Sequence, residues 1–200
     1  MSAPCWSRLN RRKPPFVLIG TYAGGSVGAS DRRVTRGQGA GSIRWSGHRA
    51  QELGAVSFPE PVPGLVIRYA YLWKREYDEG REDSTKDRPC AIVVSVVDED
   101  EEREVLVLPL THAPPDREGD AIEIPLETKK RLGLDSERSW IMITEANEFV
   151  WPGPDLRPVP GRDTSTIAYG SLPPRLFAHV RDRFLERIEQ EKASRVRRTE

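Results

Sequence analysis

The chain has 200 residues, with 31 Lys and Arg side chains balanced by 31 Asp and Glu, a length that suits one domain of ordinary size with segments to spare. No apolar run approaches the ~20 residues needed to cross a bilayer, so we expect a cytoplasmic protein without a membrane partner. The balance hides a split, because residues 1–50 hold nine basic residues and one acid, whereas residues 51–200 hold 22 basic and 30 acidic residues. The domain therefore lacks the strongly basic surface that is usual in nucleic-acid binders.

Residues 1–60 form a low-complexity segment. Nine of the 16 glycines fall within residues 1–54, and the sequence around them has neither a helical nor a strand period. Such a composition offers too little apolar surface to offset the entropy lost on ordering. We predict a disordered extension here, and the alternative is a basic, glycine-rich tail that contacts nucleic acid.

The sequence changes character at Pro61, where we predict that a domain begins and runs to residue 192. Runs rich in β-branched and aromatic residues predict strands, and the run from residue 88 is apolar enough to be buried on both faces. The predicted strands cover residues 64–73, 88–97, 103–110, 121–125 and 138–149, with a proline-limited edge segment at 156–161. A charged loop at 74–87, an acidic turn at 98–102 and a short helix at 126–134 that stops at Gly133 lie between them.

The last predicted element is a helix capped by Ser171, with Pro173 and Pro174 in its first turn. Apolar residues recur in it at spacings of three and four, which indicates that one face packs on the domain. These residues are Phe177, Val180, Phe184 and Ile188. Residues 193–200 are predicted to form a frayed basic tail. Several short strands and one closing helix predict a mainly β (α+β) domain that is a small barrel or a curled antiparallel sheet.

Two predicted strands carry polar residues at their ends. The segment "RPCAIVV" begins at Arg88, and "VLVLPLTH" ends at His112. With a glycine-led first strand before them and "SWIMITEANEF" after them, this order resembles the PemK/MazF family, the toxins of type II toxin–antitoxin modules. The resemblance covers residues 63–188. The loop before Arg88, "DEGREDSTKD", departs from the family's Gly- and Glu/Gln-containing loop, so the base preference stays open.

The resemblance implies an SH3-like barrel, a homodimer, an antitoxin protein as partner, and cleavage of single-stranded RNA without a metal or other cofactor. It places the family's catalytic arginine at Arg88 and its catalytic threonine at Thr111. A metal-free reaction proceeds by attack of the 2′-OH on the adjacent phosphorus, which yields a 2′,3′-cyclic phosphate. A fixed guanidinium suits the negative charge that gathers on the phosphoryl oxygens. Pro89 restricts the backbone of Arg88 to an extended conformation.

The residues beside this pair suggest further roles. Thr111 can donate its hydroxyl to a phosphate oxygen or orient the 2′-OH, and His112 can serve as a general base near neutral pH. Because side chains alternate along a strand, the alternative for His112 is that it points away from Thr111. Two aromatic or amide side chains and three cations are predicted to contact RNA. They are Asn147, Trp151, Lys74, Arg75 and Lys86.

The two cysteines, Cys5 and Cys90, form no metal-binding pair, and Cys90 is predicted to be a small buried hydrophobe. Two other hypotheses remain open. In the first, the domain is a non-catalytic RNA- or protein-binding module of the same shape. In the second, it is a structural domain in which Arg88 and Thr111 are ordinary strand ends.

Overall fold

A computed structural model describes residues 58–84, 86–97, 102–162 and 166–198. The predicted extension over residues 1–60 lies outside this part of the chain, apart from its last three residues. None of the helices in the described ranges is both long enough and apolar enough to cross a membrane.

The described chain forms eight strands and three helices. The strands are β1 (Leu65–Ala70), β2 (Asp87–Val97), β3 (Arg103–Thr111), β4 (Ala121–Glu123), β5 (Trp140–Met142), β6 (Glu145–Trp151), β7 (Ala168–Ser171) and β8 (Ser194–Arg197). The helices are α1 (Lys74–Asp78), α2 (Leu126–Leu132) and α3 (Pro174–Glu189). The α+β, mainly β class is therefore confirmed.

The sheet is built around the antiparallel hairpin of β2 and β3. On one side β1 pairs with β2 and β7 pairs with β1; on the other side β5 and β6 both pair with β3. Strand β4 extends β5, and β8 lies parallel to β6. Pairing within the described ranges runs from β4 to β7 without closing into a ring.

Both faces of the central hairpin are buried, as the apolar run from residue 88 predicts. One face meets α2 and α3 in a core that includes Val66, Ala91, Leu106, Leu108, Ile141 and Phe184. The other face carries a second core that includes Ile67, Tyr69, Ile92, Val105, Val107 and Phe149. Because side chains alternate along a strand, a single run of apolar residues supplies both cores.

Helix α2 ends where the sequence predicts. Gly133 adopts a left-handed conformation (φ 67°) at its C-terminus, a region that favours glycine because it has no Cβ. Helix α3 also packs as predicted, with Val180 and Phe184 fully buried and Phe177 and Ile188 half-buried against the same core.

Two predicted elements differ from the structure. The loop at 74–87 contains helix α1, and the strand at 138–149 is divided into β5 and β6. The division follows from their pairing, since Leu110 pairs with Ile141 whereas Val107 pairs with Asn147. The register moves by three residues between these pairs, so one continuous strand cannot satisfy both.

The C-terminal part of the prediction needs three corrections. Ser171 is the last residue of β7 and does not cap α3, whose cap position is Pro173 with no side-chain hydrogen bond. The edge segment at 156–161 is reduced to one bridge between Tyr69 and Leu156. The basic tail is not frayed over residues 194–197, which form β8.

Candidate functional site

The first feature of the site is that Arg88 and Thr111 lie at the same end of the central hairpin. The ladder between β2 and β3 ends at the pair Cys90 and Pro109. Continued by two residues in the same register, it would place Arg88 opposite Thr111. Strand geometry therefore brings the two predicted catalytic residues to one rim of the sheet.

Arg88 is fixed against an aromatic side chain. Its guanidinium carbon lies 4.8 Å from the ring centre of Trp73, a distance suited to a cation–π contact. Its Nε is buried and has no hydrogen-bond partner. Trp73 in turn meets Tyr71 edge to face at 5.1 Å, and the buried hydroxyl of Tyr71 also has no partner. An unpaired buried donor is costly in a native structure, so this guanidinium keeps unused capacity for an acceptor.

The segment that carries Trp73 is held by Asn147. This residue is fully buried, and its Oδ1 accepts a hydrogen bond from the Leu72 N–H at 3.0 Å while its Nδ2 donates to the Leu72 carbonyl at 2.8 Å. The prediction that Asn147 contacts RNA does not agree with this placement, because both ends of the amide are used inside the protein. Its role in this structure is to fix the chain that places Trp73 over Arg88.

Glu145, the first residue of β6, is a member of the site that sequence reasoning missed. Its Oε2 accepts a hydrogen bond from the Lys74 amide at 2.7 Å. Burial raises the pKa of Glu145; the Lys74 amide opposes this rise, the charge of Glu76 adds to it, and the charge of Arg88 opposes it. The signal available in the sequence was an acid two residues before Asn147, at the polar end of a predicted strand.

Thr111 and His112 line a small cavity of about 50 Å³. The cavity also contacts Pro89, the residue after Arg88. The Thr111 Oγ1 accepts a hydrogen bond from the Ala113 amide at 3.1 Å, which leaves its own O–H free to donate. The volume suits a water molecule and not a nucleotide, so a larger substrate would lie across the mouth of the cavity.

A second cluster of charged groups forms the floor of this cavity. Lys129 of α2 is almost fully buried, and its Nζ donates to Asp135 at 2.6 Å, to the Ser139 hydroxyl at 2.5 Å and to the Glu137 carbonyl. Burial tends to raise the pKa of Asp135, but hydrogen bonds from Lys129 and from the Glu137 amide, with the charges of Lys129 and His112, bring it below its ordinary value. Sequence reasoning missed this cluster, because its members come from a helix, the following loop and the end of β3.

The remaining predicted RNA contacts are scattered. Lys74 forms an ion pair with Asp78, and Arg75 and Lys86 are exposed near the rim. Trp151 pairs with Arg103, the first residue of β3, and stacks on Phe149. Thr111 is the last residue of the same nine-residue strand, so Trp151 and Thr111 belong to opposite ends of the β3 ladder.

Side chains that could bind a metal ion are not grouped together among the described residues. Over the described ranges there is no group of three His, Cys, Asp or Glu side chains that could hold an ion. Cys90 is free and buried, and burial raises its thiol pKa, which agrees with its prediction as a small hydrophobe; Cys5 lies outside the described residues.

A scan against protein-family models finds no match for this chain, and a search of curated proteins finds none.

Proposed function

We propose that the chain is an endoribonuclease that cleaves single-stranded RNA without a metal, as the resemblance to PemK/MazF toxins implies. The observation that supports this most directly is the state of Arg88. Its guanidinium is held against Trp73 with an unpaired buried Nε, at the strand end that it shares with Thr111. A preorganised cation with free donor capacity suits the charge that develops on a phosphoryl group.

The carboxyl of Glu145 supplies the base in this proposal. The pairing of Val107 with Asn147, continued by two residues, would set Glu145 beside Pro109, which pairs with Cys90. Arg88 and Thr111 each lie two residues beyond this row. A partly buried carboxyl with a raised pKa is a stronger base than an exposed one. It takes the 2′-OH proton while Arg88 stabilises the phosphoryl oxygens and Thr111 donates its hydroxyl to one of them.

The site also offers contacts for the rest of the strand. Arg75 lies two residues after Trp73 and Lys86 two residues before Arg88; both are exposed, and their charges can meet flanking phosphates. In the proposal the domain takes the SH3-like barrel form of the family, acts as a homodimer and is inhibited by an antitoxin protein.

A non-catalytic binding module is the second candidate. The acidic residues beside Lys74 favour it, since Glu76, Asp78 and Glu79 reduce the positive field at the rim. A protein with this function binds single-stranded RNA or a partner peptide at the same rim and leaves RNA intact.

Cleavage of single-stranded RNA in the presence of EDTA tests the proposal. We expect fragments with 2′,3′-cyclic phosphate and 5′-hydroxyl ends from the purified chain, and loss of cleavage in Arg88→Ala and Thr111→Ala. Arg81→Ala is the matched control, because Arg81 is exposed and pairs only loosely with Glu79 at 3.7 Å. Intact RNA with the unaltered chain, or equal rates in all variants, would overturn the proposal; binding without products would establish the second candidate.

A further inference from the structure

Both ring nitrogens of His112 face acceptors. Nδ1 lies 3.1 Å from the carbonyl oxygen of Arg138, which can only accept, and 3.0 Å from the Ser139 hydroxyl, which can accept or donate. Nε2 lies 3.2 Å from Oδ2 of Asp135, and a carboxylate likewise only accepts. An imidazolium ring can donate to the Arg138 carbonyl and to the Asp135 carboxylate at the same time. In that form the ring is an acid, which is the opposite of the base role that the sequence suggests for His112.

Asp135 is itself held in place from the protein interior. Its Oδ1 accepts from the buried Lys129 at 2.6 Å and from the Glu137 amide at 3.0 Å, which leaves Oδ2 for the imidazole. The other charged group near the ring is Glu137, whose Oε2 lies 3.9 Å from Nδ1. The Ser139 hydroxyl, 3.0 Å from Nδ1 and 2.5 Å from Lys129, connects the ring to the same cation. A buried helix residue thus fixes the carboxylate that fixes the histidine.

This assembly opens onto the proposed site. His112 follows Thr111 directly, both residues line the cavity that Pro89 also contacts, and half of the His112 side chain is exposed. The cleavage reaction needs an acid at this place. When the 2′-oxygen bonds to phosphorus and the P–O5′ bond breaks, the departing 5′-oxygen takes a proton, and Arg88 is a poor donor because arginine keeps its charge in proteins.

We propose that His112 is the general acid of the RNA-cleaving site and that Asp135 is the residue that positions it. The inference rests on the proposed function. The Nε2 proton passes to O5′ as the P–O5′ bond breaks, while the 2′-OH proton has gone to Glu145; both residues then return to their starting states by exchange with water. The long Nε2–Oδ2 contact leaves room for O5′ as a second acceptor, as is usual before substrate binds. Once the proton has left, the Nε2 lone pair faces a carboxylate, and this repulsion favours its return.

A substrate with sulfur in place of O5′ at a mapped cleavage site tests the acid. A thiolate leaves without being protonated, so loss of the general acid matters only for the oxygen substrate. We expect His112→Ala to lose about 100-fold or more of the cleavage rate on the oxygen RNA and to regain nearly the full rate on the sulfur RNA. Asp135→Asn should show the same pattern with a smaller loss, and the falling alkaline limb of the pH–rate profile should vanish with the sulfur RNA.

Two variants serve as controls. Glu145→Gln should be impaired on both substrates, since it loses the base, and His179→Ala, an exposed histidine on α3, should behave as the unaltered chain on both. His112→Gln repeats the test if His112→Ala does not fold. An unaltered chain that cleaves neither RNA overturns the proposed function and this inference with it. An active chain whose His112 variants are equally slow on both RNAs overturns the acid alone, and full activity of Asp135→Asn overturns the positioning role.

Discussion

Two cationic side chains, Lys129 and Arg88, lie near the end of the central hairpin. They differ in whether their N–H donors have partners. Lys129 enters from α2 with its ammonium bonded to a carboxylate, a hydroxyl and a carbonyl, so that all three of its donors are used. Arg88, the second residue of β2, has its charge over an aromatic ring and a buried N–H unpaired. The first arrangement stabilises the fold, whereas the second carries a cost that a bound anion would remove.

The difference separates a structural role for Lys129 from the catalytic role proposed for Arg88. A buried charge with complete partners belongs to the scaffold. A charge held rigidly with an unused donor is the arrangement expected of a site that stabilises a transition state. Substitutions at five positions test this distinction.

The largest effect is expected at Arg88. Arg88→Met should reduce the rate of RNA cleavage by about 100- to 1000-fold, the usual cost of removing one donor to a developing oxyanion. Its free energy of unfolding should stay the same or rise, because the unpaired Nε is removed while the apolar stem remains. Cleavage assays and urea denaturation measure the two quantities. A large loss of stability in Arg88→Met would show that its charge is structural and would remove the contrast with Lys129.

Asn147→Ala should have the next largest effect. The substitution leaves the buried N–H and C=O of Leu72 without partners, at roughly 1–3 kcal/mol for each group. We expect the free energy of unfolding to fall by about 2–4 kcal/mol and cleavage to fall as well, since Trp73 loses its support. Asn147→Asp keeps the acceptor and loses the donor. Its free energy of unfolding, measured by denaturation, should lie between those of the unaltered chain and Asn147→Ala. Unchanged stability would contradict the buried double hydrogen bond.

Lys129→Met should lower the free energy of unfolding by about 1–3 kcal/mol, because the Glu137 carbonyl and the Ser139 hydroxyl lose a donor. The loss is limited by Asp135, which is half exposed and regains water. Lys130→Met is the matched control, as this neighbour is exposed and pairs with the exposed Glu127. Equal stability of the two variants would indicate that the Lys129 cluster is not part of the scaffold.

The smallest effect is a pair of opposite pH dependences. Glu145 has a raised pKa, so its contribution to stability is present below its ordinary value of 4.5 and is lost as the pH rises through the raised pKa. Asp135 has a lowered pKa, so its contribution is present above 3.8 and is lost as the pH falls. Glu145→Gln should therefore gain stability over the unaltered chain at neutral pH and not in acid.

Asp135→Asn should show the reverse, with a small loss at neutral pH that disappears in acid. Thermal denaturation from pH 3 to 8 measures both curves. Curves of the same sign for the two variants would contradict the assigned environments.

The sequence predicts the central hairpin and α2 because local signals and tertiary packing agree there. Strands β2 and β3 are continuous apolar runs, and Gly133 marks the end of a helix at a position where only a left-handed residue fits. Arg88, Thr111 and His112 can be selected as site candidates from the sequence because they stand at the ends of these predictable elements.

The features that the sequence does not predict have a common physical cause, since each depends on a partner that is distant in sequence. Strand β8 looks like a polar tail because the acids that pair with its arginines are distant in sequence. Arg195 pairs with Glu148 on β6, and Arg197 pairs with Glu104 on β3. Asn147 has the appearance of a ligand contact until Leu72 is placed beside it. The acid role proposed for His112 depends on Asp135, which has no signal of its own in the sequence.

The parallel pairing of β8 with β6 has a consequence for the order in which the surroundings of Glu145 are assembled. Strand β6 carries both Glu145 and Asn147, and its outer edge is completed only by residues about fifty positions later in the chain. Arg198 then joins that end to Asp155 and to the Glu82 carbonyl. At a synthesis rate of ~5–20 residues per second, β8 is made several seconds after β6. A site that includes Glu145 would therefore be incomplete until residues 194–197 have been synthesised and have paired with β6.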